Sequence, residues 1–158
     1  MNIACPALDP RGYLPARCAR GGVKDARNTS PPLSWSDVPP GTESFVLTIV
    51  DRHPIANNWI HWCVVDVPGN VRELQEGASR AAVGMPAPAV ELTNTFGDRG
   101  YGGPQPPPGT GPHEYVITLH ALSVPTLNLS PRAKLPDVRA ALGTNLLETA
   151  VVVGLFER

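Results

Sequence analysis

The chain has 158 residues, 42% of them hydrophobic and 17% charged, with a formal net charge of −1. That length suits one domain with a single core, 1–158, and the near-neutral balance excludes the basic footprint of a nucleic-acid binder or of a protein held on an anionic membrane. Fifteen glycines and 19 prolines, about a fifth of the residues, imply many turns and favour an all-β, or mainly β, architecture over a helical bundle.

The longest apolar runs, near 45–50 and 150–156, are strand-sized and fall short of the ~18 residues a spanning helix requires. The first six residues lack the basic-then-apolar order of a signal peptide. Cys5, Cys18 and Cys63 are odd in number and have no Cys-x-x-Cys spacing, the pattern of reduced thiols rather than of a zinc site. A cytoplasmic protein with no membrane span, no metal and no cofactor is expected.

Residues 1–43 read as irregular, with turn signals around 9–12, 20–22 and 30–32. Ser44–Asp51 is a strand whose period of two puts Phe45, Leu47, Ile49 and Asp51 on one face. An acid closing an apolar face needs either partners or water. Residues 59–67 form a second strand, with Trp59, His61, Cys63 and Val65 on one face and Ile60, Trp62 and Val64 on the other. Both faces are apolar, so the strand is expected to be covered on both sides. Residues 87–92 make a short strand.

Residues 94–115 are so rich in glycine and proline that neither helix nor central strand can form there. The stretch nevertheless carries Phe96, Tyr101, His113 and Tyr115. A stiff, turned loop with aromatic and imidazole side chains is suited to building a site. His113–Leu122 follows as a strand with His113, Tyr115, Ile117 and Leu119 aligned, and His120 on the other face is assigned to packing or solvent. In the tail, residues 136–142 read as a helix opened by proline and stopped by Gly143. Thr144 caps a second short helix through 150, and a last strand runs to Phe156. Strands first and helices last suggest a β-sandwich with short C-terminal helices packed at one end.

If the ends of these strands meet, Asp51, His61, His113 and Tyr115 converge under the Gly/Pro loop. Imidazolium and hydroxyl groups donate to an anion, amides in the glycine turns add dipoles, and Asp51 orients a histidine. The same Asp51, His61 and His113 also make a two-His-one-carboxylate set, so a metal-dependent enzyme stands as a lesser alternative. Other enzymatic readings lack their motifs. There is no Gly-x-Ser-x-Gly and no phosphate-binding Gly-x-x-x-x-Gly-Lys, and Gly100–Pro104 neither follows a clear strand nor opens a helix.

Several segments resemble the phosphatidylethanolamine-binding proteins (PEBP family), in particular the bacterial Raf-kinase-inhibitor-like branch of the YbhB/YbcL type. Asn28-Thr-Ser-Pro-Pro-Leu-Ser-Trp35 is similar to that family's entry signature. Asp51-Arg-His-Pro54 followed by Trp59-Ile-His-Trp62 resembles its Asp-Pro-Asp-Ala-Pro … Trp-x-His-Trp block. Gly100-Tyr-Gly-Gly-Pro104, then Gly111-Pro-His-Glu-Tyr115, resembles its second block, and Gly154-Leu-Phe156 its closing strand. The resemblance implies a PEBP-like β-sandwich of two antiparallel sheets with a pocket for phosphate-like anions or phospholipid head groups at one end, and no enzymatic activity. It places Asp51, His61, His113 and Tyr115 on the pocket positions, Trp59 on the wall, and Gly103 and Pro104 on the closing loop. His53 is a further candidate at the mouth, and Pro54 the candidate cis proline. In this chain the family's second aspartate is missing, and Arg52-His53 stands in its place, which makes the mouth more cationic and favours a bare anion over an ammonium-bearing head group. Relatives that restrain kinases or proteases imply the alternative of an inhibitor that reads a phosphorylated protein partner. The sparse surface charge is also compatible with a homodimer.

Overall fold

β3 (Ser44–Asp51) is buried along its whole length, and the rest of the chain is layered around it. Its β-branched and aromatic residues suit a pleated surface covered on both faces. The structure is a computed structural model that describes residues 1–80 and 84–158. β4 (Trp59–Pro68) and β7 (His113–Leu122) flank β3, and β6 (Val90–Glu91) and β8 (Leu146–Phe156) complete a sheet of order β6-β4-β3-β7-β8. A second, three-stranded sheet has the order β1-β2-β5, from β1 (Asn2–Ala4), β2 (Leu33–Ser36) and β5 (Glu73–Leu74). Every ladder in both sheets is antiparallel.

The main core lies between the sheets. Phe45, Leu47, Ile49, Trp62, Ile117 and Leu119 of the large sheet pack with Leu33, Trp35 and Leu74 of the small one. Trp35 meets Phe45 edge-on, ring centroids 5.4 Å apart. On the outer face Val46, Cys63, Val65 and Leu122 are covered by Val138 and Leu142 of the single α-helix among the described residues, α1 (Leu135–Leu142).

β3 and β7 occupy the ranges expected from their periodicity, and the short strand after residue 87 narrows to β6. Three expectations are corrected. The first 43 residues contain β1, β2 and a 3-10 turn at Ala16–Cys18; strands of three or four residues are too short to show a period. Residues 144–150 are not a helix. A 3-10 turn at Gly143–Asn145 leads directly into β8, which pairs with β7 from Leu122↔Leu146 to His113↔Phe156. A helix there would leave one side of β7 without its ladder, and the hydrogen-bonding demand of a buried strand overrides local propensity. Finally, the cis peptide bond is Ala87–Pro88, whereas Pro54 is trans and opens the 3-10 turn Pro54–Ala56.

A β-bulge decides which side chains of β4 face the core. Ile49 pairs with Trp62 but Val50 pairs with Ile60, so His61 is the extra residue. Strict alternation put Trp62 and Val64 on the face opposite His61. The bulge instead brings His61 and Trp62 to the same inner side as Trp59, the re-aiming that bulges perform beside functional sites.

The Gly/Pro loop is stitched to β4 and to the N-terminal segment. Gly102 N–H donates to the His61 carbonyl at 2.8 Å, Tyr101 Oη–H to Cys18 O at 3.0 Å, Arg20 N–H to Pro104 O at 3.0 Å, and Gly103 N–H to Asn28 Oδ1 at 2.7 Å. A Cβ on Gly103 would stand 1.9 Å from the Cys18 carbonyl oxygen and 2.7 Å from Arg20 N. Both are backbone atoms that no rotamer change can clear. Gly103→Ala is therefore expected to destabilise the fold by about 1–3 kcal/mol or more, the usual range for overpacking. Urea unfolding measures this, and an unchanged midpoint would show that the two segments can separate freely.

Candidate functional site

The inner edge of the large sheet ends in a cavity of about 260 Å³ where β3 stops and β4 and β7 begin. Antiparallel register explains who meets there. Asp51 lies directly opposite Trp59 on one side and Tyr115 on the other. His113 follows two residues before Tyr115 on the same face, and the bulge adds His61. Asp51, Trp59, His61, His113 and Tyr115 all line the cavity, with Ile55 and Ala56 from the turn after β3 and Phe96, Gln105, Pro106 and Pro107 from the loop.

The buried Asp51 carboxylate is satisfied within the protein. Oδ1 accepts the His53 backbone N–H at 2.9 Å, and Oδ2 lies 2.7 Å from His113 Nδ1. On the other side of that ring, Nε2 is 2.9 Å from Thr110 Oγ1, whose own hydrogen goes to Pro107 O. Thr110 is then the acceptor and Nε2 carries a hydrogen, while Nδ1 and Asp51 Oδ2 share the other hydrogen bond, so both ring nitrogens are committed within the protein. The His53 ring stacks on His113, centroids 3.9 Å apart and planes 12° from parallel.

His61 is held differently. Its Nδ1 lies 2.5 Å from the Gly102 carbonyl, which can only accept, so the proton sits on Nδ1. Burial outweighs the favourable carbonyls and the nearby Asp51 charge and lowers its pKa to about 4. At neutral pH the ring is uncharged, with Nε2 as a lone-pair acceptor. The expected role of His61 as an anion donor is thereby replaced by that of an acceptor. Tyr115 packs edge-on against His61 at 4.9 Å. Burial, followed by the Asp51 charge, pushes the Tyr115 pKa upward, so it stays a phenol. Its buried hydroxyl makes no well-formed hydrogen bond among the described residues, although the Asp51 carboxylate lies near enough to add to the rise.

The structure thus brings Asp51, His61, His113, Tyr115 and Trp59 to one cavity and sets His53 against it through the stack. Gly103 and Pro104 are not part of the lining. They are buried behind it, and the small size of Gly103 serves contact with the Cys18–Arg20 backbone rather than approach to a ligand. Arg52 does not reach the mouth either; alternation past Asp51 turns it toward a cavity on the opposite face. Only His53 of the Arg-His pair bears on the site. Phe96, in sequence only a loop aromatic, forms a wall, edge-on to Trp59 at 5.2 Å and to His61 at 5.6 Å, under the Arg20 guanidinium at 4.3 Å. Thr110 gave no sequence signal, because a lone loop threonine is unremarkable. Among the described residues no group of three or more His, Cys, Asp and Glu is placed to hold a metal ion. Asp51 and His113 are bonded to each other, so the two-His-one-carboxylate set of the metal-enzyme alternative is not assembled around a common point among the described residues.

Two antiparallel sheets with a small cavity at one end, apolar-walled and holding a few polar groups, place the protein among the β-sandwich proteins. A family model described as phosphatidylethanolamine-binding protein matches residues 5–157, and the chain belongs to that family. It is 36% identical over 158 residues to the Escherichia coli UPF0098 protein YbhB, covering 99% of both chains. It is 40% identical over 134 residues to a UPF0098 protein of Aquifex aeolicus, covering 85% of this chain and 77% of that one. The crystal structure of E. coli YbcL, a member of the mammalian PEBP family, superposes with a TM-score of 0.89 at 32% identity, covering 99% of this chain and 98% of that one. Among the described residues no helix is long and apolar enough to cross a membrane.

Two outcomes test this geometry. Asp51→Ala removes the buried acceptor of both the His113 ring and the His53 amide and should destabilise the protein by about 3–5 kcal/mol, the usual result of removing one partner of a buried pair. His61 carries a pH signature. Above pH 6.5 the ring is neutral folded or unfolded and contributes no slope. Between about 6.5 and about 4 only the unfolded chain takes up the proton, so stability falls with pH, by about 3 kcal/mol across the window. His61→Gln should flatten that part of the stability profile. An identical slope in both proteins would show that His61 titrates normally.

Proposed function

We propose that the protein is a non-enzymatic binder of small anionic or phosphorylated ligands of phosphate or head-group size, seated in the Asp51–Tyr115 cavity. The observation that carries this reading is the buried Tyr115 hydroxyl, left without a well-formed hydrogen bond, on a residue that lines a cavity together with His61 and His113. A buried donor without a partner is unfavourable by about 1–3 kcal/mol, and a ligand oxygen relieves that penalty. His113, with both ring nitrogens committed to Asp51 and Thr110, fixes one wall of the seat, while His61 Nε2 accepts from a ligand hydroxyl such as P–OH. Trp59, Phe96 and the prolines bound the volume, which lies below the ~300 Å³ at which drug-sized pockets begin, so only a small group fits. Three buried, unpaired cysteines fit a reducing, cytoplasmic setting.

Replacement of the family's second aspartate by His53 supports a preference for bare anions over ammonium-bearing head groups. A second reading has the cavity accept a phosphorylated side chain of a protein partner. The exposed Ile55 and the partly exposed Trp59 at the rim favour it, as apolar surface around a polar seat.

Calorimetric titration with inorganic phosphate, phosphoethanolamine and a phosphoserine peptide tests the proposal. Tyr115→Phe should lose about tenfold in phosphate affinity with stability unchanged or slightly raised, since an unpaired buried hydroxyl is removed. His53→Asp should weaken phosphate and favour phosphoethanolamine. No saturable binding to the wild-type chain, or equal phosphate affinity in Tyr115→Phe, overturns the assignment. A peptide that binds far more tightly than free phosphate would favour the protein-partner reading.

A further inference from the structure

The opposite face of the same sheet holds a second cavity, of about 220 Å³, between β3, β7 and α1. Strand alternation separates the two: Ile49 and Asp51 point inward, while Thr48, Val50 and Arg52 point outward. Thr48 and Thr118 are directly opposed in the β3–β7 register, so their hydroxyls stand side by side on the floor. Thr48 is 94% buried (6% exposed). Thr118 beside it is half-buried, so this part of a helix-covered sheet face presents two hydroxyl-bearing side chains where apolar ones are usual.

Two arginines, Arg52 and Arg139, line this cavity and no carboxylate does. Arg139 projects from α1, and no ion pair or hydrogen bond engages it among the described residues. Arg52 lies past Val50 at the end of β3, bonded to the neutral Asn58 side chain. His120 sits at the Arg139 end with Nδ1 on Thr149 Oγ1 at 2.9 Å. Burial, then the Arg139 charge, holds its pKa below the ordinary value, which leaves the ring uncharged at neutral pH and places Arg139 within electrostatic reach. Between the polar ends the walls are Val50, Val116, Val138 and Leu142. Two arginines without a carboxylate beside them, a pair of threonines and an apolar wall describe a receptor for a small amphiphilic anion.

We propose that this cavity is a second binding site, for a small organic monoanion. Its carboxylate sits over the Thr48–Thr118 pair facing Arg139, and its compact apolar body lies along Val50 and Val116 toward Arg52. The site is chemically distinct from the Asp51–Tyr115 cavity, which offers one phenol, a neutral imidazole acceptor and an internally paired imidazole. Arg52, which replaces a family residue at the first site, thereby acquires a role at the second.

Benzoate, with benzamide as its neutral isostere, tests the proposal on the full chain by methyl-detected NMR. Benzoate should produce saturable shifts at Val138, Leu142 and the Thr48 and Thr118 methyls, and benzamide should bind at least about tenfold more weakly. Arg139→Gln should weaken benzoate by about tenfold, and Thr48→Val, an isosteric change suited to a covered sheet face, by severalfold. Tyr115→Phe, which alters the other cavity, should leave these shifts in place. Equal binding of benzamide, no saturable shift at the helix-covered face, or loss of binding in Tyr115→Phe rather than Arg139→Gln would overturn it.

Discussion

A carboxylate at the end of an otherwise apolar strand must find partners inside the protein, because an unpaired buried charge is untenable. The pairing of Asp51 organises this end of the molecule. Its two oxygens take the His53 amide and the His113 ring, which sets the direction of the chain leaving β3 and the plane of the first imidazole on β7. His53 is then delivered onto the face of His113, and Pro54–Ala56 curls into the turn that supplies one rim of the cavity. Tyr115, opposite Asp51 in register, lies beside the pair yet makes no well-formed hydrogen bond among the described residues.

The second organising contact joins His61 and Gly102 in both directions, backbone amide to carbonyl and ring nitrogen to carbonyl. It holds the Gly/Pro loop against β4 and at the same time fixes the tautomer of His61. Both imidazoles of the site are therefore committed within the fold, one in its pairing with Asp51 and one as a neutral acceptor. The cavity is selective less through spare positive charge than through the few groups left uncommitted. The glycines of the loop serve the same end: the room they leave is occupied by the N-terminal segment and by Phe96 and Asn94, which makes the loop a fixed wall.

Alternation along β3 gives the large sheet two working faces. Inward residues build the main core and end in Asp51; outward residues meet α1 and leave two hydroxyls and two arginines around a smaller cavity. The helix covers only part of that face, since its buried stripe in the outer core is Val138 and Leu142. A short helix on a broad sheet leaves space at its edges, and here the space is lined by polar groups.

Much of this was legible from the residues themselves. β3 and β7 announced themselves by period and composition, because long strands buried on both faces leave a pattern that turns cannot imitate. The motifs around Asp51, His61 and His113 were legible too, and with them the family. Tertiary structure decided what no local pattern encodes. It decided the bulge at His61 that turned Trp62 inward, and the recruitment of 146–156 as a strand to complete the ladder of β7. It also decided the burial of Gly103 and Pro104 behind the site and the departure of Arg52 to the other face. Each of these depends on pairing or packing between segments far apart in the chain. Hydrogen-bond partners, burial and protonation are properties of neighbours in space, and so they arise only once the sheets have closed.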